Sequence, residues 1–377
     1  MRIAVLKLID RLVGGVAAAV LPAPALRPLA SPRRILLIRP GGIGDAVLLV
    51  PAILALKQRF PEALISVLAE RRNGSALALC PAVDHLLLYD AQYGLLRAIR
   101  GAYDVVIDTE QWHRLSAFVT RLINAPVSIG FASNDRQRLF THRVSYCHED
   151  YEARSFINLL APLGIEPPVS LRVPFLRVPE EAASRASALL DPLGGARFVA
   201  LFPGASIAER RWGAERFRGV AERLNARGIP VVVVGGKDDA VEGAAIVQAG
   251  GLNLAGKTTL AETAAVIARS ALLLSGDSGV LHIAVGLGVP TVSLFGPGIE
   301  AKWGPTGEGD IVLNKHLPCS PCTRFGTTPR CPCQARCLSE ITVAEVAKAV
   351  EKLLDQALDL RVSPIPRLSS PLSFLNH

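Results

Sequence analysis

Residues 34–52 read RILLIRPGGIGDAVLLVPA. The first five are a short apolar run rich in Ile and Leu, closed by Pro40 and two glycines, which is the pattern of a buried parallel strand. From Asp45 onward DAVLLVPAILALKQRF has helical character. Between strand and helix, Gly41, Gly42 and Gly44 permit a tight turn and close approach of a ligand to the backbone. Asp45 stands where the helix begins. It suits an N-cap, or an unpaired carboxylate facing a cleft, where a general base is wanted. As a dinucleotide fingerprint the turn is incomplete. Val47 stands where a third glycine or alanine belongs, and Glu70, about 25 residues on, is a loose fit for a ribose partner.

Working outward, ALISVLAE, DHLLLYD, DVVIDTE and PVSIGF read as strands, and GLLRAIR and HRLSAFVTRLIN as helices between them. This alternation implies βαβ units and a parallel sheet. Residues 131–175 lose the rhythm, and PPVSLRVPFLRVPEE reads as a Pro-rich extended linker. A second series follows. Its strands are RFVALF, IPVVVVGG, GLNLAG, ALLLS and VPTVSLF. Its helices are GAERFRGVAERLNARG, ended by Gly228, then DDAVEGAAIVQAG, then TLAETAAVIARS, opened by Thr258 or Thr259, and VLHIAVGLG. A last helix covers VAEVAKAVEKLLDQAL. The expected fold is α/β: two Rossmann-like, doubly wound parallel sheets facing a central cleft, with ligands beyond the carboxyl ends of the strands. The expected division is a basic amphipathic segment (1–33), a first domain (34–175), a second (176–360) and a flexible Ser/Pro-rich tail (361–377).

The chain has 377 residues, half of them hydrophobic and a fifth charged, which excludes a disordered polymer. It is too long for one ordinary core. Of the net charge of +8, five units lie in residues 1–34, where Arg2, Lys7, Arg11, Arg27, Arg33 and Arg34 face only Asp10. No apolar run reaches the ~18–20 residues that span a bilayer, and Pro22 and Pro24 interrupt the best candidate. The basic start and the "APA" triplet resemble a signal peptide. Asp10 sits awkwardly in one, however, and Lys7, Asp10, Arg11 and Gly14 form a polar stripe at helical spacing. A surface helix docking on an anionic membrane is the better expectation. No aromatic-interleaved basic stripe points to nucleic acid.

Other motifs carry chemistry. FPGASIAERRW (202–212) places Ser206, Arg210 and Arg211 on a loop after a strand, suited to an anion or to plain solvation. SGDSGVLHIAVGLG (275–288) opens a helix after a strand; Ser278 and Gly279 would offer N–H groups to a diphosphate, and Asp277 a carboxylate to sugar hydroxyls. His282, on the first turn, is a secondary candidate, since a lone histidine on an apolar helix is commonly core. LFGPG and WGPTG read as turns that can line the cleft. Five of the seven cysteines lie between Cys319 and Cys337. Among them Cys319, Cys322, Cys331 and Cys337 could hold a structural zinc, with disulfides as the alternative. No Asp-x-Asp, P-loop or nucleophile elbow is present.

Together, RILLIRPGGIGDAVLLVPAILALKQRFP, LFPGAS…RRWGAERFRGVAERL, VVVVGGKDD, NLAGKTTLAETAAVIARSALLLSGDSGVLHIAVGLGVPTVSLFGP and PCSPC…CPC…CL resemble glycosyltransferase family 9, the ADP-heptose:lipopolysaccharide heptosyltransferases. The resemblance implies a GT-B fold, with acceptor on the first domain and nucleotide sugar on the second. It implies inverting transfer of heptose to Kdo or heptose of the lipopolysaccharide inner core, without a catalytic metal. Asp45 then matches the proposed base. Asp277, Ser278 and Gly279 match the donor motif, and His282 its recurrent histidine. Arg210 stands where the family commonly has lysine, keeping charge but changing reach. The implied enzyme is cytoplasmic and peripheral on the inner face of the inner membrane, where its lipid-linked glycan acceptor lies. Alternatives are transfer from another nucleotide sugar, an NAD-dependent oxidoreductase built on the GGIGD turn, and a non-catalytic nucleotide-sugar-binding protein.

Overall fold

Ile35, Leu36, Leu37 and Ile38 are all buried, so both faces of this strand are covered, as a central parallel strand requires. The structure, a computed structural model, describes residues 9–27, 31–324 and 327–362. The expected tail, apart from Arg361 and Val362, and residues 1–8 and 28–30 of the N-terminal segment therefore lie outside the described residues.

The first sheet comprises β1 (Arg34–Ile38), β2 (Leu64–Ala69), β3 (His85–Leu88), β4 (Val105–Asp108), β5 (Val127–Phe131) and β6 (His142–Val144). Their order is β3-β2-β1-β4-β5-β6, parallel throughout. The second comprises β7 (Val199–Phe202), β8 (Val231–Val233), β9 (Leu252–Asn253), β10 (Leu273–Gly276), β11 (Thr291–Phe295) and β12 (Asp310–Asn314). It runs β12-β11-β10-β7-β8-β9, again parallel. Numbered from its own first strand, each sheet has the doubly wound order 3-2-1-4-5-6. The order reverses between β1 and β4 in one sheet and between β7 and β10 in the other, and ligands bind at such switch points.

Seven helices matter for the site: α1 (Gly15–Val20), α2 (Ile43–Leu48), α3 (Arg114–Ile123), α4 (Glu152–Asn158), α5 (Leu260–Ala268), α6 (Gly279–Gly286) and α7 (Glu300–Trp303). Thr259, not Thr258, opens α5: its hydroxyl accepts from Glu262 N and the Glu262 carboxylate accepts from Thr259 N, a capping box. One apolar core runs through both halves, from Ile35 and Val47 to Val266 and Leu273. The Pro-rich stretch crosses between them without helix or strand over residues 165–179. Its Phe175 and Leu176 N–H groups both donate to Gly286 O. The irregular region expected over 131–175 nevertheless contains β6 and α4, too short for a periodic signal to emerge.

Candidate functional site

The first glycine turn follows β1. Gly41 has φ +105°, a conformation that needs glycine. Arg39 pins the turn from below: fully buried, it donates to Thr109 O at 2.9 Å and faces Glu110 Oε2 at 3.5 Å. Gly42 is the N-cap of α2, and Asp45 is the third helical residue, with no side-chain cap bond. The N-cap expectation for Asp45 is therefore corrected. The helix starts earlier, where extended Gly42 already supplies the cap geometry, and the half-buried carboxylate is left to the cleft. Its field reaches both halves. Burial raises the pKa of Tyr146, Glu152 and Asp277, and the charge on Asp45 raises each further.

The opposite wall follows β7 and β10. Asp277 leaves the end of β10, and Ser278 caps α6, accepting from Leu281 N and meeting Ser275 Oγ at 2.9 Å. Arg210 reaches across to Asp277, Nη1 to Oδ2 3.1 Å, and donates to Thr323 Oγ1 at 3.3 Å. The pair is a charge contact with hydrogen-bonding capacity to spare: among the described residues, buried Arg210 Nε and Asp277 Oδ2 find no partner in hydrogen-bond geometry. Burial pushes the Asp277 carboxyl up, against the pull of Arg210. Gly298 makes room for it, since a Cβ there would stand 2.1 Å from Asp277 Oδ2.

The two turns meet. A Cβ on Gly44 would lie 2.7 Å from His282 Cδ2, and one on Gly279 would lie 2.8 Å from Ile43 Cβ and 3.1 Å from Gly44 N. Glycine at 44 and 279 is thus what lets the N-termini of α2 and α6 abut, bringing their positive ends together. His282 is buried, its Nδ1 lacks a hydrogen-bond partner among the described residues, and burial lowers its pKa to about 4. The unfolded chain protonates this histidine near pH 6.5, the folded one only near 4. Stability is therefore present above pH 6.5 and falls as pH drops toward 4, by up to about 3 kcal/mol. His282→Gln is expected to flatten this part of the curve, as read from urea midpoints at pH 7 and 4.5.

A buried ion pair joins the halves beside Asp45. Lys302 of α7 reaches into the first half, Nζ lying 2.8 Å from Glu152 Oε2, 2.9 Å from Ser155 Oγ, 2.8 Å from Cys147 O and 4.2 Å from the Tyr146 ring centre. Tyr146 and Gln111 also donate to the Glu152 carboxylate. Both charged side chains are at most 1% exposed. Neither Lys302 nor Glu152 stood out in the sequence, because partners 150 residues apart leave no local pattern.

The expected donor residues separate into three groups. Arg210, Asp277, Ser278, Gly279 and His282 line one wall. Ser206 is exposed on its loop. Arg211 turns away to Glu242 (2.7 Å) and Asp239 (3.4 Å), holding the loop itself. The cysteines are free; Cys147 is exposed and Cys80 buried. Among the described residues no three His, Cys, Asp or Glu side chains gather as metal ligands. Cys319, Cys322, Cys331 and Cys337 nevertheless share one neighbourhood: burial raises the pKa of Cys337, and the charges of the other three each raise it further. Their segment braces the wall that carries Arg210. Cys322 N and Thr323 N donate to Pro297 O, Ser320 Oγ donates to Gly296 O, and Thr323 holds Arg210.

Known proteins share this fold. The family model described as "Glycosyltransferase family 9 (heptosyltransferase)" matches residues 93–331. Lipopolysaccharide heptosyltransferase 3 of Escherichia coli is 29% identical over 340 residues, 82% of this chain and 96% of that protein. The glycosyl transferase family 9 structure from Veillonella parvula superposes with TM-score 0.71 at 23% identity, covering 86% of this chain and 97% of that one. The E. coli ADP-heptose lps heptosyltransferase II structure gives 0.69 at 23%, covering 86% and 99%. Two parallel sheets in the GT-B arrangement are shared with these structures, and the family model spans more than half of the chain: the protein belongs to glycosyltransferase family 9, the heptosyltransferases.

Proposed function

We propose that this chain transfers a heptose from ADP-heptose to the inner core of lipopolysaccharide, with inversion at the anomeric carbon. The observation that carries this is the placement of Asp45, unused as a helix cap, opposite Arg210 and Asp277. Asp45 accepts the proton of the acceptor hydroxyl as that oxygen bonds to the anomeric carbon. The bond from that carbon to the diphosphate oxygen breaks, and its electron pair leaves on ADP. Arg210 and the N-terminus of α6 neutralise the developing charge, so the step needs no catalytic metal. Asp277 orients sugar hydroxyls, using the hydrogen-bond capacity Arg210 leaves open. The names of the relatives favour ADP-heptose over other donors, and the incomplete third glycine disfavours NAD. An acceptor carried on lipid places the enzyme on the inner face of the inner membrane; among the described residues no helix is long and apolar enough to cross one.

Titration of the purified protein with ADP, UDP, GDP and NAD tests the donor. ADP is expected to bind most tightly, and Arg210→Ala to weaken it by about 10-fold or more. Preference for UDP or GDP would move the donor, and preference for NAD would overturn the assignment.

A further inference from the structure

The helical segment at the N-terminus is inside-out. Asp10, Gly14, Ala17 and Ala18 face the protein and are buried, whereas Leu12 (58% exposed), Val13 (44%), Val16 (61%) and Val20 (74%) face outward, with Ile9 at 39%. Both sets recur at helical spacing. A helix seated on a globular core normally turns its large apolar residues inward; here small residues face in and large ones face water.

The seating is specific. Asp10 Oδ1 accepts from Arg114 N at 2.7 Å and Leu115 N at 2.8 Å, capping α3 from outside, and Oδ2 lies 3.6 Å from His113 Nδ1. A Cβ on Gly14 would stand 2.6 Å from Arg114 Cβ. Ala18 and Leu21 close a small cluster with Ala117, Leu139 and Phe140. The apolar stripe is therefore held rigidly outward. It is also held near the cleft: the same loop that carries His113 carries Gln111, which donates to Glu152.

We infer that this outward stripe docks on an anionic lipid bilayer, lying in its plane and turning the acceptor side of the cleft toward the membrane. The eleven residues Asp10–Val20 rise only about 17 Å, against about 30 Å of hydrocarbon, so the helix lies on the membrane and does not span it. Charge selects the surface. Arg11 and Arg27 are exposed, and residues 1–34 carry six basic residues against Asp10, which is itself buried. Such a segment is drawn to anionic headgroups and repels a second copy of itself. The inference deepens the proposed reaction on a lipid-borne acceptor and rests on it only for its purpose, since docking needs neither donor nor acceptor.

Flotation of the full chain with phosphatidylcholine vesicles, with and without about 30% phosphatidylglycerol, tests it. Binding is expected only to the anionic vesicles, weakening with salt. The exposed double substitution Leu12→Glu/Val16→Glu is expected to cut it by about 10-fold or more with the thermal midpoint unchanged, and Arg11→Glu to cut it less. Absence of binding to anionic vesicles, or binding unaffected by the double substitution, overturns the inference. So does a concentration-dependent dimer that the double substitution splits, which would assign the stripe to a second copy. Vesicle binding by a protein that transfers no heptose would instead overturn the proposed function alone.

Discussion

Asp45→Asn is expected to lower turnover by about 10²- to 10⁴-fold, the usual contribution of a positioned general base, while ADP affinity stays unchanged. Asparagine keeps the shape and removes the capacity to take a proton. The substitution costs little stability, because Asp45 caps nothing: Gly42 holds that position. The separation of effects follows from location. Asp45 lies in the first turn of α2, after β1, whereas Arg210 and Asp277 follow β7 and β10. Single-turnover rates and nucleotide titration on the same preparation check it, and a loss of affinity in step with rate would assign Asp45 to binding instead.

Lys302→Met is expected to destabilise the protein by about 3–5 kcal/mol, because it strands the Glu152 carboxylate in the interior. The ammonium is what holds that carboxylate's charge: burial already raises the pKa of Glu152, Lys302 lowers it, and Asp45 raises it again. Without Lys302, Glu152 takes up a proton. The double variant Lys302→Met/Glu152→Gln is expected to recover most of the loss, since no unpaired charge remains. Urea unfolding of the two singles and the double closes the cycle. Both singles are also expected to lower transfer, because the pair ties α7 of the second half to α4 of the first beside Asp45. Equal losses in the Lys302→Met single and in the double would show that the ion pair contributes nothing beyond packing.

Much of this was legible in the sequence, and the reasons are physical. Strands such as Ile35–Ile38 and Val231–Val233 are buried on both faces, so they appear as unbroken apolar runs that anyone can read. Gly41 and Gly44 are marked by what only glycine permits, a positive φ at one and the approach of His282 at the other. The positions of Asp45 and Asp277 after strands at the two switch points were legible, because the alternation of strands and helices fixes where each strand ends. The expectation that Asp45 caps its helix failed by register, since a glycine-rich turn does not show where the first helical residue falls. Lys302 and Glu152 were invisible, for their meaning lies in a contact between distant segments. Around the thiols, Thr323, Ser320 and backbone N–H groups at Pro297 hold the segment against Arg210, contacts that no cysteine spacing announces.

The most direct test of the central claim is a transfer assay with ADP-heptose and a lipid-linked inner-core acceptor, following ADP release and the mass of the glycolipid. The account predicts addition of one heptose per acceptor with inverted anomeric configuration, dependent on Asp45. Release of ADP without a heptosylated product, transfer only from a different nucleotide sugar, or full activity in Asp45→Asn would contradict it.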